Sequence, residues 1–251
     1  MDGARDGALG VSGDMGAGGA AAFSLDLAPA GSVEIECVEN GPLKTNTYFV
    51  RSAGEVLVID PAWDGGELAA GLAARHPGER VTGIVCTHGH ADHLGGVAGM
   101  RAALGPGAPF MLPADDVPTV PESIASQRVR FHVDTPDPGQ PDRLLREGDV
   151  VAVGDARLQV VAVPGHTPGG IILFCACEEG RFAFVGDTLF PRGHGKTTLV
   201  GGDPAAMERS LAKIARLFPP DTVCLIGHGP STVIGRELEE NRYLRRAAGL
   251  D

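Results

Sequence analysis

No apolar run in the 251 residues approaches the ~20 needed to cross a bilayer, which excludes a membrane-spanning helix. Basic residues are in deficit: 21 Lys and Arg against 32 Asp and Glu give a formal net charge of −11. A nucleic-acid-binding face or a polybasic membrane patch is therefore not expected, and the chain reads as an acidic protein without nucleic-acid or membrane partners. The start, Met1-Asp2-Gly3-Ala4-Arg5-Asp6-Gly7, lacks a basic stretch followed by an apolar one, so no signal peptide is expected. Five cysteines (Cys37, Cys86, Cys175, Cys177 and Cys224) lie in apolar, strand-like runs with no C-x-x-C spacing. An odd count without a disulfide framework predicts buried, structural thiols in a reducing, cytoplasmic interior. No repeat of fixed short period is present.

Against these absences stands Thr87-His88-Gly89-His90-Ala91-Asp92-His93, directly after the apolar run Val81–Cys86. Imidazole and carboxylate are the ligands of hydrolytic zinc sites. Alternate spacing aims His88 and His90 the same way, while Asp92 and His93 sit where a helix can begin. One short loop can thus offer ligands to two neighbouring cations. The cluster does not stand alone. His166 lies in Pro164-Gly165-His166-Thr167-Pro168-Gly169 after Val160–Val163, and His228 lies in Gly227-His228-Gly229 after Val223–Ile226. Phe182–Val185 ends in Gly186-Asp187-Thr188. Four strand ends each deliver a metal-ligand residue, with glycines that permit close backbone approach.

H-x-H-x-D-H, then G-H-T-P-G, G-D-T and G-H-G in that order resemble the metallo-β-lactamase-fold hydrolase superfamily, from about Val33 to Leu244. The resemblance implies an α+β, four-layer αβ/βα sandwich with metals at one edge between the sheets. It implies two divalent metal ions, zinc foremost with iron or manganese as alternatives. His88, His90 and His166 would hold one ion, Asp92, His93 and His228 the other, and Asp187 would bridge them. A hydroxide shared by the ions would attack the substrate, with Asp92 orienting it or shuttling its proton. Penicillin-hydrolysing members usually lack an aspartate at the position of Asp187. The segment Gly186–Phe190 is similar to that of the glyoxalase-II-type thioester and ester hydrolases, and Lys196, with Arg192 as a weaker candidate, would face an anionic substrate. Only 23 residues follow His228, which leaves no room for the helical glutathione-gripping domain of full-length glyoxalase II, so the resemblance is to short, single-domain members.

The expected activity is hydrolysis of a small anionic thioester or ester, or a lactone. The alternative is a persulfide dioxygenase with one iron held by His88, His166 and Asp187, a two-His-one-carboxylate set. A phosphodiesterase is weighed down by the missing basic stripe, and a structural zinc site needs fewer ligands than the seven present.

Residues 1–30, rich in Gly and Ala, predict a flexible tail, and residues 31–251 the hydrolase domain. Strands are predicted at Val33–Val38, Thr47–Val50, Val56–Ile59, Val81–Cys86, Val150–Val153, Leu158–Val163, Ile171–Cys177, Arg181–Val185 and Val223–Ile226. Helices are predicted over Asp64–Arg75, Leu94–Leu104, Pro204–Leu217 and Glu237–Arg246, the last as a surface helix. Residues 113–145 read as a long loop, helical only near Ser123–Arg128, that forms a wall or lid. His194 is kept outside the site as an exposed loop histidine.

Overall fold

A computed structural model of the chain describes residues 23–251. The first sheet contains β1 (Glu34–Asn40), β2 (Thr45–Ser52), β3 (Glu55–Ile59), β4 (Arg80–Val85), β5 (Phe110–Pro113) and β6 (Arg143–Leu145), in that order. Its first three strands are antiparallel, and β3 to β6 are parallel. The second sheet is built from β7 (Val150–Val153), β8 (Ala156–Ala162), β9 (Ile171–Cys177), β10 (Gly180–Gly186), β13 (Val223–Ile226) and β14 (Thr232–Val233), in the spatial order β14-β13-β10-β9-β8-β7. A short hairpin, β11 (Leu189–Phe190) with β12 (Gly193–His194), stands apart from both.

The two-residue period of the strands decides which side chains go where. Tyr48, Val50, Leu57 and Ile59 point between the sheets and meet Val153, Leu158, Val160, Leu173 and Phe184 from the second. The alternate residues Phe49, Val56 and Val58 point outward. They are covered by α1 (Gly65–Arg75) and α3 (Val97–Leu104) through Leu72, Val97 and Met100. On the far side α5 (Pro204–Leu217) lays Met207, Leu211 and Ile214 on Phe174 and Val185. The helices α6 (Ile234–Glu240) and α7 (Arg242–Ala247) complete that layer through Ile234 and Leu244. Helices, sheet, sheet, helices: the four expected layers are there. None of the helices among the described residues is long and apolar enough to cross a membrane.

Several expectations change in detail. The helix expected over Leu94–Leu104 is split into α2 (Ala91–Leu94) and α3 by Gly95 and Gly96. The Gly96 N–H donates to Pro61 O at 2.7 Å, and a Cβ on Gly95 would lie 2.4 Å from Ala62 O. Only glycine admits that approach. The C-terminal helix is likewise two helices, broken at Asn241, whose side chain accepts the N–H groups of Tyr243 and Leu244 and starts α7 afresh.

The segment 113–145 is not a long loop. It holds a 3-10 turn over Ala114–Thr119, the twelve-residue α4 (Val120–Phe131) and strand β6. Helix α4 buries Val120, Ser123 and Gln127. Two of the three are polar, so no apolar period announced it. Cys37 departs from the expected burial: it is exposed on β1, whereas the other four cysteines are buried.

Of the expected tail, residues 1–22 lie outside the described residues. Residues 23–30 run along the second sheet: Phe23 and Leu25 pack against its outer cluster, the Asp26 N–H donates to Gln159 and the Ala30 N–H donates to Ala176 O.

Candidate metal centre

Each strand that feeds the site ends in a turn that exposes one or two chemically useful side chains. Strand β4 runs into Thr87–His90 and α2, which carry His88, His90, Asp92 and His93. The turn between β8 and β9 carries His166, the end of β10 carries Asp187, and the end of β13 carries His228. Three sets of these groups lie with their ligand atoms within 4.8 Å of one another: His88, His90 and His166; His88, His93 and Asp187; and Asp92, His93 and His228. Asp187 sits between the outer two. Its Oδ2 is 3.5 Å from His166 Nε2 and 3.6 Å from His228 Nε2, and its Oδ1 is 3.5 Å from His93 Nε2. Asp92 Oδ2 is 3.2 Å from His228 Nε2. Gly227 makes this convergence possible, since a Cβ there would fall 2.1 Å from Asp187 Oδ1.

The second nitrogen of every one of these imidazoles is held by an oxygen. His88 Nδ1 faces Thr87 Oγ1 at 3.0 Å, and that hydroxyl donates to Asp60 Oδ2. His93 Nδ1 donates to Asp60 Oδ2 at 2.9 Å. His90 Nε2 donates to Val200 O, His166 Nδ1 to Lys196 O at 2.8 Å, and His228 Nδ1 to Leu43 O at 3.1 Å. These bonds orient each ring and direct the other nitrogen inward, as outer partners of metal-bound histidines do. The inward atoms are short of partners: among the described residues, His88 Nε2, His93 Nε2 and Asp187 Oδ1 are buried without a hydrogen bond. His90 Nδ1 and His166 Nε2 face each other at 2.8 Å, two lone pairs once the outer nitrogens carry the protons. Buried polar atoms left so cost free energy unless something charged lies between them. A cation fits this donor set.

Charge follows burial. Desolvation holds His88 well below the ordinary imidazole range and His166 down at about 4, so both stay neutral and ready to ligate. Burial also opposes protonation of His93, but Asp60, Asp92 and Asp187 outweigh it and raise that ring well above its usual value. Burial opposes the charge on Asp187 too, yet the surrounding imidazoles, His93 first, keep its carboxyl far below the usual range.

Two residues absent from the sequence-derived list organise the centre. Asp60, at the end of β3 with φ 50°, accepts the Thr87 N–H at 2.7 Å as well as the contacts above. Asp116, fully buried, accepts the Gly89 N–H and the Thr167 hydroxyl on Oδ2 and the Gly169 N–H on Oδ1, at 2.6 to 2.7 Å. It ties the His88–His90 loop to the His166 loop. Asp60 had one signal, a lone carboxylate at a strand end; Asp116 had none beyond an Asp-rich stretch.

The centre opens into a cavity of about 380 Å³. His90, Asp92, His166, Asp187 and His228 form its floor, and Leu43, Phe131, Phe190, Leu199 and Val200 its apolar sides. Ser123, Ser126, Gln127, Arg130 and Phe131 of α4 form one wall, so the segment expected to act as a wall does line it, as a helix. Lys196 lines the cavity, and so does His194, which is half-buried rather than the exposed loop histidine expected. Arg192 does not: its backbone N–H is held by Glu237 and its guanidinium reaches toward Glu240 at 3.9 Å, away from the cavity. The physical reason is that these two carboxylates of α6 engage Arg192 at the turn of the β11–β12 hairpin.

Comparison with known proteins agrees with this architecture. The profile of the Metallo-beta-lactamase superfamily matches residues 40–228. A hydroxyacylglutathione hydrolase of Haemophilus influenzae is 30% identical over 74% of this chain and 86% of its own. Among solved structures, the BLEG-1 B3 metallo-beta-lactamase is 28% identical with a TM-score of 0.75, covering 84% of this chain and 99% of that one. TTHA1623, crystallised in a di-iron-bound form, is 33% identical with a TM-score of 0.73, covering 83% and 99%. With that profile spanning most of the chain and four strand ends converging on one cluster of imidazoles and carboxylates, the protein belongs to the metallo-beta-lactamase superfamily.

Proposed function

We propose that the protein is a binuclear metallohydrolase that cleaves a small thioester or ester. His88, His90 and His166 would hold one cation and Asp92, His93 and His228 a second, with Asp187 within reach of both sets. When bound, the pair acidifies the attacking water and polarises the scissile carbonyl. The chain's own residues do the rest. Asp92, whose Oδ2 lies 3.2 Å from His228 Nε2 where the second cation would sit, would use its other oxygen to position the water and take its proton. The water oxygen adds to the carbonyl carbon, the C–S or C–O bond breaks, and the proton passes to the leaving sulfur or oxygen. The apolar sides of the cavity exclude competing water and position the acyl group.

The observation that carries this reading is the set of buried, inward-facing atoms without partners: Asp187 Oδ1 and the Nε2 atoms of His88 and His93, two rings whose other nitrogen is already fixed. A di-iron relative and a hydroxyacylglutathione hydrolase relative support two metals and thioester chemistry respectively. Zinc and iron both suit the imidazole-rich set, with manganese a further candidate. The 3.5 Å approach of His166 Nε2 to Asp187 Oδ2 also suits the one-iron persulfide dioxygenase.

Metal analysis of purified protein, followed by assays of a thioester, a lactone, a phosphodiester, a β-lactam and glutathione persulfide, separates the readings. About two metals per chain with thioester cleavage is the expected result; one iron with oxygen uptake on the persulfide would replace it. The Asp187→Ala variant is expected to lose at least 100-fold in turnover while keeping the fold by circular dichroism. Undiminished turnover would remove Asp187 from the centre.

A further inference from the structure

The rim of the cavity has the opposite charge sign to the molecule. In a chain of formal charge −11, the cavity is lined by Arg130 from the last turn of α4 and, from another part of the chain, by Lys196 just after the β11–β12 hairpin. Most neighbouring cations are engaged: Arg128 pairs with Asp134 at 2.7 Å, and Arg192 faces Glu240. Among the described residues neither Arg130 nor Lys196 has a carboxylate within salt-bridge distance. Both are exposed, and the space they border is apolar, with Phe131, Phe190 and Leu199 lining it. Phe131 itself is 50% exposed, a large apolar side chain left open at the mouth. An apolar cavity with a few convergent charges is how a small-molecule site selects its ligand.

Building on the hydrolase reading above, we infer that the substrate is amphipathic: an apolar acyl chain next to the scissile carbonyl, ending in a carboxylate that Arg130 receives, with Lys196 adding a second positive charge to the same cavity. The planar guanidinium can bind the carboxylate bidentately, while the aliphatic linker runs along Phe131 and Phe190. Helix α4 is then the element that decides specificity. Arg130 is a specificity-determining residue and touches no reacting atom.

The test uses the metal-loaded protein and two S-phenyl thioesters of equal chain length, the monothioester of adipic acid and the neutral thioester of hexanoic acid. The adipyl compound is expected to show at least a tenfold higher kcat/KM at low salt, with the preference shrinking at high ionic strength. In Arg130→Gln the preference is expected to collapse through KM rather than kcat, and Arg130→Lys is expected to restore part of it. Equal cleavage of both thioesters, or a preference that survives in Arg130→Gln, overturns the inference and leaves the hydrolase reading intact. If neither is cleaved, the hydrolase reading fails. Binding of the two ketone analogues, with CH2 in place of sulfur, then decides the subsite: tighter binding of the carboxylate analogue that Arg130→Gln abolishes supports it, and equal binding overturns it.

Discussion

Asp116 shows how much one side chain outside the ligand set carries. Three donors from two loops converge on its two oxygens, and the loops they belong to hold His88, His90 and His166. In Asp116→Asn the amide replaces one oxygen with a donor, so a backbone N–H or the Thr167 hydroxyl must face an N–H group in a buried site. A loss of about 2–3 kcal/mol in stability is expected. The loops no longer hold their spacing, and metal affinity is expected to fall by about 10- to 100-fold, read by chelator competition at neutral pH. A folded variant with wild-type affinity would show that Asp116 serves packing alone. Neither it nor Asp60 was legible as part of the site, because an isolated aspartate reads the same in any loop. The seven candidate ligands were legible because their glycine-flanked spacings recur after apolar runs.

Elements were legible in proportion to their periodicity. Strands β7 to β10 and helices α1 and α5 stand close to their expected spans, since their apolar residues repeat every two or every three to four positions or, in β9, form one short continuous run. Strands β5 and β6 are four and three residues long, too short for a period to show. Helix α4 is anchored by small and polar side chains and was read mostly as loop. The C-terminal pair was expected to be one surface helix, yet its break point is structural. Asn241 is fully buried, caps α7, and donates to Phe190 O and Gly193 O of the hairpin beside the cavity. Asn241→Ala is expected to cost about 1–3 kcal/mol, from one lost cap and two part-buried acceptors left without the Asn241 donor. KM is expected to rise as the hairpin carrying Phe190 and His194 loosens. Urea midpoints and steady-state kinetics check the two effects, and a midpoint unchanged from wild type would refute the linkage.

On the scale of the molecule, the two sheets are joined at one edge by a charged contact. Glu179, in the turn between β9 and β10 of the second sheet, accepts the Ser32 hydroxyl and, at 3.0 Å, the Val33 N–H that leads into β1 of the first. These two donors, Ser32 first, lower its pKa from 4.5 to about 2. A carboxyl with a lowered folded-state value adds stability that is complete above its unfolded value and is lost as pH falls toward the folded one. The difference in urea midpoint between wild type and Glu179→Gln is therefore expected to be constant from about pH 8 to 5. It should shrink as pH falls from about 4.5 to 2. A difference independent of pH across that range would mean that the contact does not depend on charge.

The residue types by themselves determined the class of chemistry and the layered fold. Ligand types and apolar period are local properties, written within a few positions of one another. Which nitrogen of each ring faces inward, which cations border the cavity and which turn Arg192 away were decided only by the tertiary structure. Those outcomes depend on contacts between segments far apart in the chain, such as Asp60 with His93, Lys196 with His166 and Asn241 with Phe190. No local pattern encodes such a pairing, because its free energy exists only once the sheets have brought the partners together.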